Sequence, residues 1–266
     1  MTDPVAGRWG DLQTRVISAV VMLAFGGVEV WLGGQPFALL VVVLTGVMIW
    51  ELAAMVRPLH GRESIYLGLI TGFGLIAALN HPSPLAPLFL LTIPAAMLFP
   101  AVIGRFAFSS YAALIVISGY CLVTLRDTFG ISAILWLIGV VIASDVLGYF
   151  AGRSLGGPKF WPAISPKKTW SGTVAGWLGA ALVGLSFVVF AGAGWGLIIL
   201  SPLVAFAGQM GDIAESWVKR RTGVKDSSRL IPGHGGVLDR FDALIGAVVA
   251  VMLLGLILPL PLPAGN

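Results

Sequence analysis

Charge is what this chain has least of: 11% of its 266 residues are Asp, Glu, Lys or Arg, against roughly a quarter in an ordinary soluble domain. With 58% hydrophobic residues, that scarcity excludes a water-soluble globule, which has no use for so much apolar surface. A single cysteine, Cys121, excludes an intrachain disulfide and a cysteine-ligated metal, and it reads as a packed thiol in an apolar run. The three histidines form no HExxH pair, and no GxxxxGK[ST] loop is present. Zinc-protease and P-loop chemistry are therefore absent from the sequence.

What is there is a succession of apolar runs approaching the roughly 20 residues that cross a bilayer. They predict an all-α, polytopic membrane protein with about nine transmembrane helices. The candidate crossings are Val16 to Leu32, Phe37 to Val56, Ile65 to Leu79, Leu85 to Phe99, Tyr111 to Leu125, Ile131 to Phe150, Gly172 to Phe190, Leu197 to Val218 and Leu238 to Leu258. The first lacks a small-residue cleavage site and is read as a retained helix. The 35 glycines point to close helix packing in lipid. We treat residues 1–266 as one membrane-embedded domain, with an N-terminal helical part (1–130) and a catalytic part (131–266).

The net charge of +4 does not imply nucleic acid, because the basic residues sit in short connections. With Met1 in the cytoplasm, that side receives Arg8, Arg15, Arg57, Arg62, Arg105, Arg153, Lys159, Lys167 and Lys168, then Lys219 to Arg240; only Arg126, beside Asp127, falls outside. The positive-inside rule then puts the polar face in the cytoplasm and the PLPLPAGN tail on the periplasmic or extracellular side of an inner membrane.

Ionisable residues between apolar segments mark a functional site. The densest set is Ser216 to Asp242, SWVKRRTGVKDSSRLIPGHGGVLDRFD. Helical spacing puts Asp212, Glu215, Ser216 and Lys219 on one face, and Asp239 and Asp242 open the next crossing. Between them, Gly233, Gly235 and Gly236 permit a tight turn around His234, which is either a base, a phosphate donor or a plain hydrogen-bonding residue of the turn. Asp212 and Asp239, from two helices and facing Lys219, Arg220, Lys225 and Arg229 with Asp226 among them, offer the hard oxygen ligands that Mg²⁺ and phosphates need. Upstream, Ser165, Lys167, Lys168 and Thr169 read as a phosphate-gathering loop or as an interfacial anchor, with the amides of Ser171 and Gly172 opening the next helix toward the same anion. Asp145 shares a helix face with Gly148, Tyr149 and Gly152, and the two glycines leave room for a ligand; pairing with a distant arginine is the other reading. Glu51, after Trp50, is either a snorkelling helix end or part of a pocket.

These residues closely resemble the signature of the phosphatidate cytidylyltransferases, or CDP-diacylglycerol synthases. The matching pieces are Ser216 to Arg220 (SWVKR), Lys225 with Asp226, Ile231 to Gly236 (IPGHGG) and Leu238 to Asp242 (LDRFD). The likeness extends to QMGDIAES from Gln209, to SDVLGYFAGR with SPKKTWSG, and more loosely to TRVISAV and the Trp50–Glu51 pair. It departs at Val146, Leu147 and the Ser228–Arg229 pair, none of which is a candidate metal ligand. The resemblance implies a membrane enzyme converting CTP and phosphatidic acid to CDP-diacylglycerol and pyrophosphate. It further implies Mg²⁺ on Asp212 and Asp239, with a monovalent cation such as K⁺ and a homodimer as further expectations. The implied cytoplasm-facing cavity draws on Asp145, Lys167, Lys168, Ser216, Lys219, Arg220, Lys225, Asp226, His234, Arg240 and Asp242. Two other classes stay open on the residues alone. A CDP-lipid phosphatidyltransferase would need a DGxxAR element that is missing here, and an ion or lipid transporter would place its charges near the midplane.

Overall fold

The computed structural model describes residues 4–56, 61–81, 90–91 and 105–263. Their apolar runs form helices α1 (Pro4–Leu32), α2 (Gly34–Val56), α3 (Gly61–Asn80), α4 (Arg105–Leu155), α5 (Trp170–Ala191), α6 (Leu197–Thr222) and α7 (Leu238–Gly255). Among the described residues, five helices are long and apolar enough to span a membrane, so the chain is an all-α, multi-pass membrane protein. The expected crossing from Leu85 to Phe99 lies outside the described residues except for Leu90 and Leu91. Large apolar side chains turned outward, Phe190 at 87% and Ile257 at 77% exposure, suit lipid rather than water.

Two of the expected crossings follow one another in α4 with no loop between them. At about 1.5 Å per residue a straight helix of that length would overshoot a bilayer core of about 30 Å twice over. It breaks at Gly130, whose φ of 76° and ψ of −170° only glycine adopts readily. Nearby, Arg126 reaches the end of α1, its Nε donating to the Val30 carbonyl at 3.3 Å.

A second departure from expectation is the basic loop, which folds as an antiparallel ribbon of β1 (Lys159–Trp161) and β2 (Ser165–Thr169), with Lys159 opposite Thr169. Thr169 then caps α5, its Oγ1 accepting from the Gly172 amide at 3.3 Å. The last turn of α6 carries Lys219, Arg220 and Arg221, favourable charges for a helix C-terminus, before Gly223 ends it.

Two apolar clusters hold these elements. One gathers Trp136, Leu137, Leu197, Val204, Ala247 and Val251; the other Ile49, Leu52, Leu75, Ile115, Val218 and Leu238. In the first, the buried Trp136 Nε1 donates to Ser201 Oγ at 2.9 Å, so its one polar atom is satisfied.

Helices α6 and α7 meet backbone to backbone. A methyl group on Gly211 would strike the Asp242 carbonyl and sit 3.2 Å from Gly246 Cα. Gly211→Ala is therefore expected to destabilise the protein by about 1–3 kcal/mol. Gly26→Ala, where nothing lies within 4 Å, should be neutral or slightly stabilising, by up to about 1 kcal/mol. Thermal unfolding in detergent checks the pair, and equal melting temperatures would refute the close approach.

Candidate active site

The helical face expected on α6 is realised. Ser216 Oγ donates to Asp212 Oδ1 at 3.3 Å, and Lys219 Nζ donates to Glu215 Oε2 at 2.6 Å. Lys219 also crosses to α7, meeting Asp239 Oδ1 at 2.6 Å. With the side chains of Lys219, Glu215 and Asp239 exposed by 13%, 0% and 5%, these are charge-assisted bonds largely out of water. The other Asp239 oxygen, Oδ2, accepts from the Ser227 amide and hydroxyl, both at 2.9 Å, and from the Gly236 amide at 2.8 Å. One carboxylate thus fastens the loop between α6 and α7 at both ends.

That loop closes on itself through Ile231, whose amide donates to the Gly235 carbonyl at 2.8 Å. Its apex is held from α1: Ser18 Oγ lies 3.1 Å from the Pro232 carbonyl and 2.9 Å from His234 Nδ1. Its other flank is held from α2, where Glu51 is fully buried and accepts from Ser227, Ser228, Val237 and Leu238. Glu51 is therefore no snorkelling end residue.

The β-ribbon delivers the second cation. Lys168 Nζ pairs with Asp212 Oδ2 at 2.5 Å and lies 3.4 Å from the Gln209 carbonyl. The Gln209 side chain, buried, joins three elements by accepting from Trp177 Nε1 at 3.1 Å and donating to Ser144 Oγ at 3.1 Å. The expectation of two free amides at the start of α5 needs correcting, since Thr169 takes that of Gly172. Gly148 and Gly152 line the cavity beside Asp145, as expected, and they also let α5 approach. A Cβ on either would press on α5 or its cap, 3.2 Å from the Gly172 carbonyl and 2.8 Å from Thr169 Oγ1, respectively.

Around these groups lies a cavity of ≈ 780 Å³. Asp145, Lys167, Lys168, Asp212, Lys219, Asp226, Asp239, Arg240 and Asp242 line it, joined by Arg153, Lys159 and Thr169. Ser216, Arg220, Lys225 and His234 stand outside its lining. Among the described residues, the acids that converge as a metal-binding set are Asp212, Glu215 and Asp242, with ligand oxygens within 4.8 Å of one another. Asp239 is the expected partner of Asp212, and its two oxygens are engaged by Lys219 and the loop. Among the described residues, buried Glu215 Oε1 has no donor within hydrogen-bond geometry and faces the Asp242 carboxyl, a condition that a shared proton, a water or an ion relieves. Sequence reasoning put Glu215 on the right face without giving it a role, and it missed Gln209 and Ser18.

A family model described as the Cytidylyltransferase family matches residues 13–258. A phosphatidate cytidylyltransferase of Brucella abortus is 37% identical over 265 residues, covering 94% of this chain and 96% of its own. One of Helicobacter pylori is 33% identical over 252 residues, covering 91% of each chain.

Replacing Lys219 by methionine would leave two buried carboxylates facing each other without their shared cation. Breaking a buried ion pair in this one-sided way costs about 3–5 kcal/mol. Lys219→Met is expected to unfold at markedly lower temperature than wild type, and an unchanged melting temperature would refute the bridge.

Proposed function

The chain belongs to the Cytidylyltransferase family, and from that premise we propose how its cavity carries out the reaction. The protein is a nucleotidyltransferase of phospholipid synthesis that converts CTP and phosphatidate to CDP-diacylglycerol and pyrophosphate. The observation that carries the site assignment is the convergence of Asp212, Glu215 and Asp242 beside Lys168 and Lys219, with Asp212, Asp242 and both lysines lining the cavity and Glu215 buried next to it.

That donor set fits a hard divalent cation: three carboxylates, and in Glu215 Oε1 a buried acceptor without a donor among the described residues. Asp212, Glu215 and Asp242 would hold Mg²⁺, with Asp239 adjoining them through Lys219. Bound there, Mg²⁺ would supply neutralisation of the triphosphate and of the leaving pyrophosphate. For a second, monovalent ion such as K⁺, the support is the buried Tyr111 hydroxyl, which lacks a hydrogen-bond partner among the described residues.

In the transfer, an oxygen of the phosphatidate phosphate forms a bond to the α-phosphorus of CTP as the bond to pyrophosphate breaks. A phosphomonoester with a second pKa of about 6 is already largely ionised near neutrality, so the chain need not provide a strong base. Lys167, Lys168, Arg240 and Arg153 draw the phosphates into the cavity, and positioning with charge neutralisation carries the rate. Lys225 and Arg220, exposed beside the cavity, gather lipid and nucleotide phosphates on approach. Ser216 orients Asp212, Asp226 and Asp145 repel a misplaced phosphate, and His234, held by Ser18, fixes the loop apex.

The same reading sets the topology. Ser18 midway along α1, Glu51 near the end of α2, Lys219 in the last turn of α6 and Asp239 at the start of α7 meet around the loop between α6 and α7. The contact of Arg126 with Val30 and that of Gly194 with Pro261 mark the opposite side. We assign the side of that loop to the cytoplasm of a cell inner membrane, with about nine crossings in all and the C-terminus outside. CTP is too charged to enter lipid and a diacyl chain too apolar to leave it, so a polar notch at that face brings them together. Assembly as a homodimer is carried by the resemblance alone.

Purified protein in detergent, given CTP, phosphatidate and Mg²⁺, is expected to form CDP-diacylglycerol, and chelation should stop it. Asp212→Asn, Asp239→Asn and Asp242→Asn should each lower kcat by about 10²–10³-fold, the usual scale for losing preorganised charge stabilisation. Near-full activity of folded Asp212→Asn would rule out the metal assignment. Failure of folded wild type across several lipids would rule out the substrate.

A further inference from the structure

Glu51 is 0% exposed, and among the described residues its hydrogen bonds all go to the loop and helix that carry Asp239. Oε1 accepts from Ser228 Oγ at 2.5 Å and from the Val237 amide at 2.9 Å; Oε2 accepts from the Leu238 amide at 2.7 Å and from Ser227 Oγ at 3.3 Å. Val237 and Leu238 begin α7, which has no side-chain cap of its own. The free amides and partial positive charge of a helix N-terminus are thus met by a carboxylate 186 residues away in sequence.

The loop is gripped from two sides. Ser227 Oγ lies between Glu51 Oε2, at 3.3 Å, and Asp239 Oδ2, at 2.9 Å. The Gly236 amide donates to Asp239 at 2.8 Å, while a Cβ on Gly236 would sit 2.5 Å from Glu51 Oε1. Backbone is therefore pressed between the two carboxylates, which explains why residue 236 is glycine. A shift of Glu51 moves Ser227 and Gly236, hence Asp239, and hence the Lys219 bridge to Glu215.

We propose that Glu51 is a positioning residue for cytidylyl transfer, acting through Ser227 and Gly236 on Asp239. It also fills the anion site at the α7 N-terminus, so substrate phosphates are excluded from those amides and directed to Lys167, Lys168 and Arg240. The role depends on charge as well as shape. A glutamine there would turn an amide NH₂ toward groups that are themselves donors, leaving buried donors unsatisfied. This inference rests on the reaction proposed for the same cavity.

The test compares wild type, Glu51→Gln and Ser228→Ala in detergent, reading kcat, the KM for CTP, thermal unfolding and trypsin cleavage after the exposed Lys225 and Arg229. Glu51 lies outside the cavity lining, and a displaced catalytic group costs up to about 10²-fold in rate. Glu51→Gln is expected to lower kcat by about 10- to 100-fold with a much smaller change in KM. It should also speed loop cleavage well below the unfolding temperature. Ser228→Ala, which removes one neutral donor, should lower kcat by a few fold at an unchanged melting temperature. Wild-type kcat in folded Glu51→Gln overturns the proposal. If that variant does not fold, an unchanged kcat in Ser228→Ala overturns it instead. A wild type that makes no product refutes the reaction and not the grip of Glu51, which the cleavage rates read separately: equal rates in wild type and Glu51→Gln refute that.

Discussion

The ammonium of Lys219, 2.6 Å from both Glu215 and Asp239, is the interaction on which the rest of the site depends. A carboxylate buried among apolar helices keeps its charge only if a cation and hydrogen-bond donors replace water. Lys219 serves two acids from two helices at once, so α6 and α7 cannot separate without stranding charge. The glycine contact of Gly211 with the Asp242 backbone brings these helices close enough for the bridge.

From that bridge the structure grows outward in a chain of satisfied donors and acceptors. Asp239 orders Ser227 and Gly236, and Glu51 orders Ser227, Ser228 and the start of α7. Ser18 holds the apex at His234. On the opposite wall, the β-ribbon brings Lys168 to Asp212, and Gln209 locks α4, α5 and α6 together. The first and second helices therefore belong to the candidate site as much as the signature does. Glu51 and Ser18 lie within residues 1–130, and the acids they help to place lie beyond it.

Much of this was legible in the sequence, for local reasons. Apolar runs in a nearly uncharged chain signal membrane helices, and offsets of three and four place Asp212, Glu215, Ser216 and Lys219 on one face whatever the tertiary structure. What was not legible depends on distance along the chain. Glu51 meets Leu238 across 187 residues, and no periodicity reports such a contact; the only signal was a carboxylate next to Trp50 in an apolar run. The SPKKT segment lacks apolar alternation, so its pairing with Lys159 to Trp161 was hidden. The resemblance pointed to Asp212 and Asp239 as ligands. The structure brings Glu215 and Asp242 to Asp212, Glu215 by the helical period of α6 and Asp242 from α7, while Lys219 ties Glu215 to Asp239.

The central claim is that this carboxylate set binds a divalent cation. Mn²⁺ binding to purified protein, followed by EPR, tests it without relying on turnover. The account predicts bound Mn²⁺ that Mg²⁺ displaces in the wild type, and loss of that signal in a folded protein carrying both Asp212→Asn and Asp242→Asn. Equal binding in the two proteins, or none in the wild type, would contradict it.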